Sequence, residues 1–375
     1  MEQSGLRGDT SMYHSIVIVG VGLIGGSLGL AIRRTHPDIR ITGVSSPGAV
    51  RSALEMGIIT CGYGYGELGD AVKGADLVVL CTPIYRIRDL LALLGTLLEP
   101  GVLVTDVGST KRAIACHAAE VLPSGVHFIG GHPMAGSENR GVLAADPFLF
   151  QNAIYVLCPA EGTPVSHIES FSALLGDIGA HVTVMDAETH DRIAAAVSHL
   201  PQMLAVALVE MVGGLNSERA PYLRLAAGGF RDMTRIASSP FGIWDDIFRT
   251  NDDAVRETVD AFIERLRKLR DRIGTQALAE DFEIANVTRA AIPKDTKGFL
   301  RTLSDVLVVV EDKPGVIARI AAELAGEGIN IRDIEVLKVR EGEGGTLRLA
   351  FEREEEALRA VELMERIGYS ARLRR

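Results

Sequence analysis

The chain has 375 residues, 47% hydrophobic and 23% charged, and that length and composition imply two or three globular domains with sizeable cores. Its net charge of −10 excludes general nucleic-acid binding, because no basic excess exists to neutralise phosphates; an anionic substrate would need local Arg or Lys clusters. Cys61, Cys81, Cys116 and Cys158 are scattered without a C-x-x-C pair, so they read as reduced, buried thiols of a cytoplasmic protein, with neither a disulfide frame nor a metal site.

Residues 1–13 are polar and read as a mobile tail without a signal core, and no apolar run reads as long enough to span a bilayer, so no membrane partner is expected. Ser15 to Val19 is a β-branched run expected to be a buried parallel strand. It leads into Gly20-Val21-Gly22-Leu23-Ile24-Gly25 and an apolar-periodic helix, the context in which G-x-G-x-x-G points to a dinucleotide. Gly20 makes the tight turn, Gly22 admits the pyrophosphate, and Gly25 allows helix and strand to pack closely. Leu23 and Ile24 then open the helix whose N–H groups meet the phosphates. The second strand, Arg40 to Val44, ends in Ser45 rather than the carboxylate that grips an NAD ribose, which leaves NAD or NADP open with a lean to NAD.

A helix over Ala49 to Met56 precedes an irregular Gly/Tyr loop at 62–69. Ala75 to Cys81 reads as the next strand, delivering Thr82 to the cofactor crevice. After a helix at Leu90 to Leu98 comes a strand at Val102 to Thr105, ending in Asp106-Val107-Gly108-Ser109-Thr110-Lys111. There Ser109 and Lys111 either receive an anion or, more blandly, Ser109 caps the next helix. A short strand from His127 to Gly130 delivers the loop Gly130 to Gly141, GGHPMAGSENRG, in which His132 stands among glycines; within it Ser137, Glu138 and Asn139 either touch a ligand or shape the turn. Strands at Ala153 to Cys158 and His181 to Met185, flanking a helix at Ile168 to Ile178, complete a Rossmann-type, doubly wound α/β domain over 14–185.

Past Asp186 the pattern turns helical. Ala187 to Val212 is one long apolar helix that Pro201 should kink, exposing His199; a core role for His199 is the alternative. Gly228 to Ile236 clusters Arg231, Asp232 and Arg235, which describe either a surface ion pair or a carboxylate site with Arg235 as the planar fork. Trp244 precedes a charged helix, Asp252 to Arg272, with an apolar stripe at Val255, Val259, Phe262, Leu266 and Leu269. These helices lack a closed partner, so 186–292 reads as an all-helical domain shared between two subunits. Thr288 to Arg301 reads as a linker, and 303–375 follows the order βαββαβ, the ferredoxin-like plan, as a binding or dimerisation module.

The motifs V-G-V-G-L-I-G-G-S, D-V-G-S-T-K (106–111), G-G-H-P-M-A-G-S-E (130–138), S-H-L-P-Q (198–202) and G-G-F-R-D-M-T-R-I-A (228–237) resemble those of prephenate dehydrogenases, in family order. D-K-P-G-V-I-A-R-I and G-I-N-I at the C-terminal end resemble an ACT domain. The resemblance implies oxidative decarboxylation of prephenate with NAD(P)+, in tyrosine biosynthesis. His132 would accept the hydrogen bond of the substrate hydroxyl, and Ser109 would orient either His132 or that hydroxyl. Arg235 would clamp a carboxylate, His199 would make a second substrate contact, and Trp244 would close the pocket. It also implies a homodimer through the helical domain and L-tyrosine as an effector at the ACT domain. Arogenate dehydrogenases share the motifs, so that substrate is the alternative. A β-hydroxyacid dehydrogenase would need a catalytic lysine in the helical domain, and a non-catalytic amino-acid sensor would not need His132, Ser109 and Arg235 together.

Overall fold

The computed structural model describes residues 13–136, 139–292, 303–311, 313–340 and 344–374. The expected mobile tail therefore lies outside the described residues except for Tyr13, which is buried. The chain divides into two compact units, Met1–Leu278 and Ala279–Arg375.

The first unit opens with β1 (Ser15–Val19), α1 (Leu23–Thr35), β2 (Arg40–Val44) and α2 (Pro47–Glu55). The stretch expected to be a loop instead contributes a strand, β3 (Cys61–Tyr63), a 3-10 turn and α3 (Leu68–Ala71). Three residues are too few to show an alternation, but pairing with β2 supplies what the pattern lacks. Next come β4 (Leu77–Leu80), α4 (Ile84–Leu94), β5 (Leu103–Asp106), α5 (Arg112–Val121), β6 (His127–Pro133), β7 (Ile154–Pro159), α6 (Val165–Asp177) and β8 (His181–Val184).

These strands form one sheet in the order β3-β2-β1-β4-β5-β6-β7-β8. It is parallel except between β6 and β7, which run antiparallel with His132 opposite Val156. Alternate residues of β1 feed cores on opposite faces: Ile16 and Ile18 join Leu28, Ile32 and Phe171, while Val17 and Val19 join Val78, Leu80 and Leu91. The strand order reverses direction between β1 and β4, which leaves a crevice at their carboxyl ends.

Asp186 caps the next helix, its carboxylate accepting from the Thr189 N–H at 2.8 Å. That helix is α7 (Ala187–Ala194), which continues through a π turn, Ala195–His199, into α8 (Leu200–Leu215). Pro201 does not break it. The Leu200 N–H bonds five residues back to the Ala195 carbonyl, and the widened turn takes up the lost proline donor. His199 is accordingly not exposed by a kink but 1% accessible. The whole helix is long and apolar enough to cross a membrane by length and composition, contrary to the sequence expectation, and only 28% of its most apolar stretch is buried. Helices α9 (Gly228–Thr234), α10 (Phe241–Thr250) and α11 (Asp252–Asp271) follow.

Part of the expected linker is helical, since α12 spans Ala277–Ala291; residues 293–302 lie outside the described ones. The second unit then holds β9 (Ser304–Val310), α13 (Val316–Gly326), β10 (Asp333–Arg340), β11 (Gly344–Phe351), α14 (Glu354–Arg366) and β12 (Ser370–Leu373). Its antiparallel sheet has the order β10-β11-β9-β12, and Ile320, Leu324 and Met364 from the helices bury against Leu347, Leu349 and Phe351. Of the cysteines only Cys158 is buried outright; Cys116 is exposed and all four are free.

Candidate active site

The glycine turn is built for backbone approach. Gly20 has φ +97°, and a Cβ on it would lie 2.6 Å from the Cys81 carbonyl oxygen; a Cβ on Gly25 would lie 2.3 Å from the Gly20 carbonyl oxygen. Gly22 is different. A Cβ there meets no protein atom within 4 Å, and it occupies the N-cap of α1, where no side chain bonds the first N–H groups. Leu23 and Ile24 form the first turn beyond it, half-buried. Thr82, just past β4, has a buried hydroxyl without a hydrogen-bond partner among the described residues. Ser45 is buried after β2, its N–H bonded to the Tyr63 carbonyl at 3.1 Å. Open space over Gly22, free helix N–H groups and an orphaned hydroxyl beside the crevice fit a dinucleotide pyrophosphate.

His132 lies on β6, not in a loop, so its backbone is held by the β7 ladder. The D-V-G-S-T-K segment braces it from the neighbouring strand. Lys111 is fully buried, paired with Asp106, and donates to the Gly131 carbonyl at 2.7 Å. Asp106 in turn accepts the N–H groups of Gly108 at 2.7 Å and Gly131 at 3.2 Å. Lys111 is therefore committed to the scaffold and does not offer its charge to an outside anion. Nor does Ser109 cap α5. The N-cap is Lys111, and the N–H groups of Lys111 and Arg112 donate to the Asp191 carboxylate at 2.7 and 2.9 Å. Ser109 sits half-buried in the turn between β5 and α5.

The ring of His132 meets a second histidine. Its Nδ1 is 2.8 Å from His190 Nε2, and His190 Nδ1 is 2.8 Å from Asp191 Oδ1. Asn251, which separates α10 from α11, donates its Nδ2 to the Asp191 backbone carbonyl at 2.8 Å and lies 3.4 Å from His199 Nδ1. Trp244 stands edge-to-face on His199, ring centroids 6.1 Å apart, with Phe248 stacked behind it. Burial holds His132 well below the ordinary imidazole range, reinforced by the positive charge of Lys111 and by His190 and His199. Burial also lowers His199 to about 4, against the opposing pull of Asp191.

Arg235 is exposed and begins a 3-10 turn, Arg235–Ser238, that packs on α8. Ser137 and Glu138 lie outside the described residues, and Asn139 is exposed. The sequence reading missed His190, Asp191 and Asn251. One signal was available for the first two: with Ala194 they fall at i, i+4 and i+3 spacing on the buried stripe of α7, an unusual place for a titratable pair.

A family model described as the prephenate dehydrogenase nucleotide-binding domain matches residues 28–184, one described as the prephenate dehydrogenase dimerization domain matches 186–285, and an ACT-domain model matches 304–368. The prephenate dehydrogenase of Bacillus subtilis (strain 168) is 38% identical over 366 residues, covering 94% of this chain and 96% of its own. The crystal structure of prephenate dehydrogenase from Aquifex aeolicus in complex with hydroxyphenyl propionate and NAD+ superposes with a TM-score of 0.69 at 30% identity, over 74% of this chain and 98% of that one. The Synechocystis arogenate dehydrogenase structure gives 0.67 at 31%, over 74% and 99%.

Proposed function

The chain belongs to the prephenate dehydrogenase family, and from that premise we propose how its residues carry out the oxidative decarboxylation of prephenate to 4-hydroxyphenylpyruvate. It is an NAD-dependent dehydrogenase, and the glycine turn, Ser45 and Thr82 hold the nucleotide. Bound NAD+ supplies an acceptor for the hydride that leaves the ring carbon bearing the hydroxyl. His132 Nε2 accepts the proton of that hydroxyl as the carbonyl forms, a role worth about 10² to 10⁴ in rate. As the ring carboxylate departs as CO2, its bonding pair moves into the ring, the carbonyl oxygen becomes the phenol oxygen and takes its proton back from His132, and aromatisation makes the step irreversible. Ser109 orients the hydroxyl toward His132, Arg235 and His199 take the substrate carboxylates, and Trp244 keeps water from the far side.

The observation that carries this reading is His132, half-buried and with its pKa pushed well below the ordinary imidazole range, at the carboxyl edge of a sheet whose glycine turn fits a dinucleotide. The domains we assign are 14–185 for nucleotide binding, 186–292 for dimerisation and substrate contact, and 303–375 as the ACT module. The half-bare helix from Ala187 to Leu215 suits a homodimer seam, and L-tyrosine is the effector we assign to the ACT module. Prephenate and arogenate, each offered with NAD+ and NADP+, separate the alternatives by nucleotide reduction. Turnover is expected with prephenate and NAD+; none in any combination would end the reading.

A further inference from the structure

Two histidines serve the proposed reaction with opposite needs. His132 has to accept a proton at Nε2, while a histidine that contacts a carboxylate has to donate one. A neutral imidazole carries a single N–H, and what its other nitrogen meets decides where that hydrogen sits. Both rings are wired to one residue, Asp191, which is 2% accessible.

Along the first wire, the Asp191 carboxylate already accepts the N–H groups of Lys111 and Arg112, so it has only acceptor capacity to offer His190. His190 Nδ1 must donate at 2.8 Å, which leaves its Nε2 bare. A bare Nε2 facing His132 Nδ1 at 2.8 Å requires that Nδ1 carry the hydrogen, and His132 Nε2 is then free to accept. Along the second wire, the Asp191 backbone carbonyl fixes the Asn251 amide, because only the nitrogen can point at a carbonyl oxygen 2.8 Å away. That same nitrogen faces His199 Nδ1 at 3.4 Å, so Nδ1 accepts and His199 Nε2 carries the hydrogen.

We propose that His190 and Asn251 are positioning residues that, through Asp191, set His132 as the acceptor and His199 as the donor of the reaction centre. The inference deepens the function proposed above and rests on it for the use made of each nitrogen. Asp191 itself also caps α5, so changing it would disturb the scaffold as well as the wiring. His190 and Asn251 separate the two.

His190→Leu cuts the first wire and is expected to lower kcat about 10- to 100-fold with KM for prephenate within about threefold, an effect on the transition state alone. His190→Gln should recover most of that loss, since Asp191 draws the amide nitrogen and leaves the amide oxygen for His132. Asn251→Asp, which offers His199 an acceptor, should instead raise KM about tenfold with a smaller change in kcat. Loss of both parameters together in each variant, or no rescue by glutamine, would overturn the proposal. Imidazole nitrogen NMR of histidine-labelled protein at pH 7.5, without substrate or nucleotide, reads the wiring directly, with His132→Asn identifying the resonance. The Nδ1–H tautomer is expected for His132; the Nε2–H tautomer or an imidazolium at His190 overturns the proposal even in an enzyme that turns over. The expected tautomer in a protein inert toward prephenate would uphold the wiring and sink the assigned reaction.

Discussion

Removing the His132 imidazole takes away the base while leaving the pocket, so His132→Asn is expected to lower kcat at least 100-fold with little change in KM, whereas Arg235→Gln should mainly raise KM. Steady-state kinetics on both variants check the pair of roles, and equal effects on both parameters would contradict them. Burial of these rings also sets a pH dependence of stability. His199 has a folded value of about 4 against 6.5 for a free imidazole. Above pH 6.5 neither state is protonated and the stability is complete; between 6.5 and about 4 the unfolded chain takes up a proton that the folded one refuses, so stability falls as the pH drops. The loss should reach about 2 kcal/mol by pH 5 from His199 alone, read as a falling urea midpoint whose slope His199→Gln reduces. A flat midpoint from pH 7.5 to pH 5 would count against it. Single residues were unevenly legible in the sequence. His132 announced itself by its glycine-rich surroundings, but Asn251 reads as one more helix-end polar residue. Its meaning comes from α7 lying beside it, and no local pattern carries that.

Among the elements, the glycine turn separates fold from function. Gly25→Ala must push α1 away from the Gly20 carbonyl and is expected to destabilise by about 1–3 kcal/mol. Gly22→Ala meets no protein atom, so it should melt within about a degree of the parent while weakening NAD+ binding tenfold or more. Thermal melts beside fluorescence titration of nucleotide distinguish the two, and a Gly22 variant that melts early would show that the space over it belongs to the fold. The brace between β5 and β6 is equally testable. Lys111→Met leaves Asp106 charged and buried, which costs about 3–5 kcal/mol in denaturant unfolding. Most elements followed from hydrophobic period, because buried parallel strands such as β1 are unbroken β-branched runs. The exceptions have physical causes. β3 is short enough to exist only by pairing, and the π turn lets a helix continue where proline argues for a break.

For the whole molecule, the bare flank of the 187–215 helix points to a second copy of the chain. Sedimentation should show a dimer at micromolar concentration, and charged substitutions at the exposed Val197 and Met211 should lower the association constant. A chain ending near residue 295 should keep activity and lose its response to L-tyrosine; undiminished inhibition would place the effector elsewhere. The order of domains was legible because each has its own rhythm, unbroken β-branched runs between glycine turns and helices, then long apolar helix, then βαββαβ. The helix also bears on the reaction through its phase. Nine residues of regular α-helix separate His190 from His199 by roughly 180° around the axis, on opposite faces. The π turn at Ala195–His199 absorbs one extra residue and brings the two rings to within roughly 90° of each other. Removing one residue from that turn would restore a regular helix and swing everything beyond it, Gln202 and Ala205 included, out of the register in which it is buried. What resembles a local irregularity is the angular offset that lets two histidines of one helix share one aspartate.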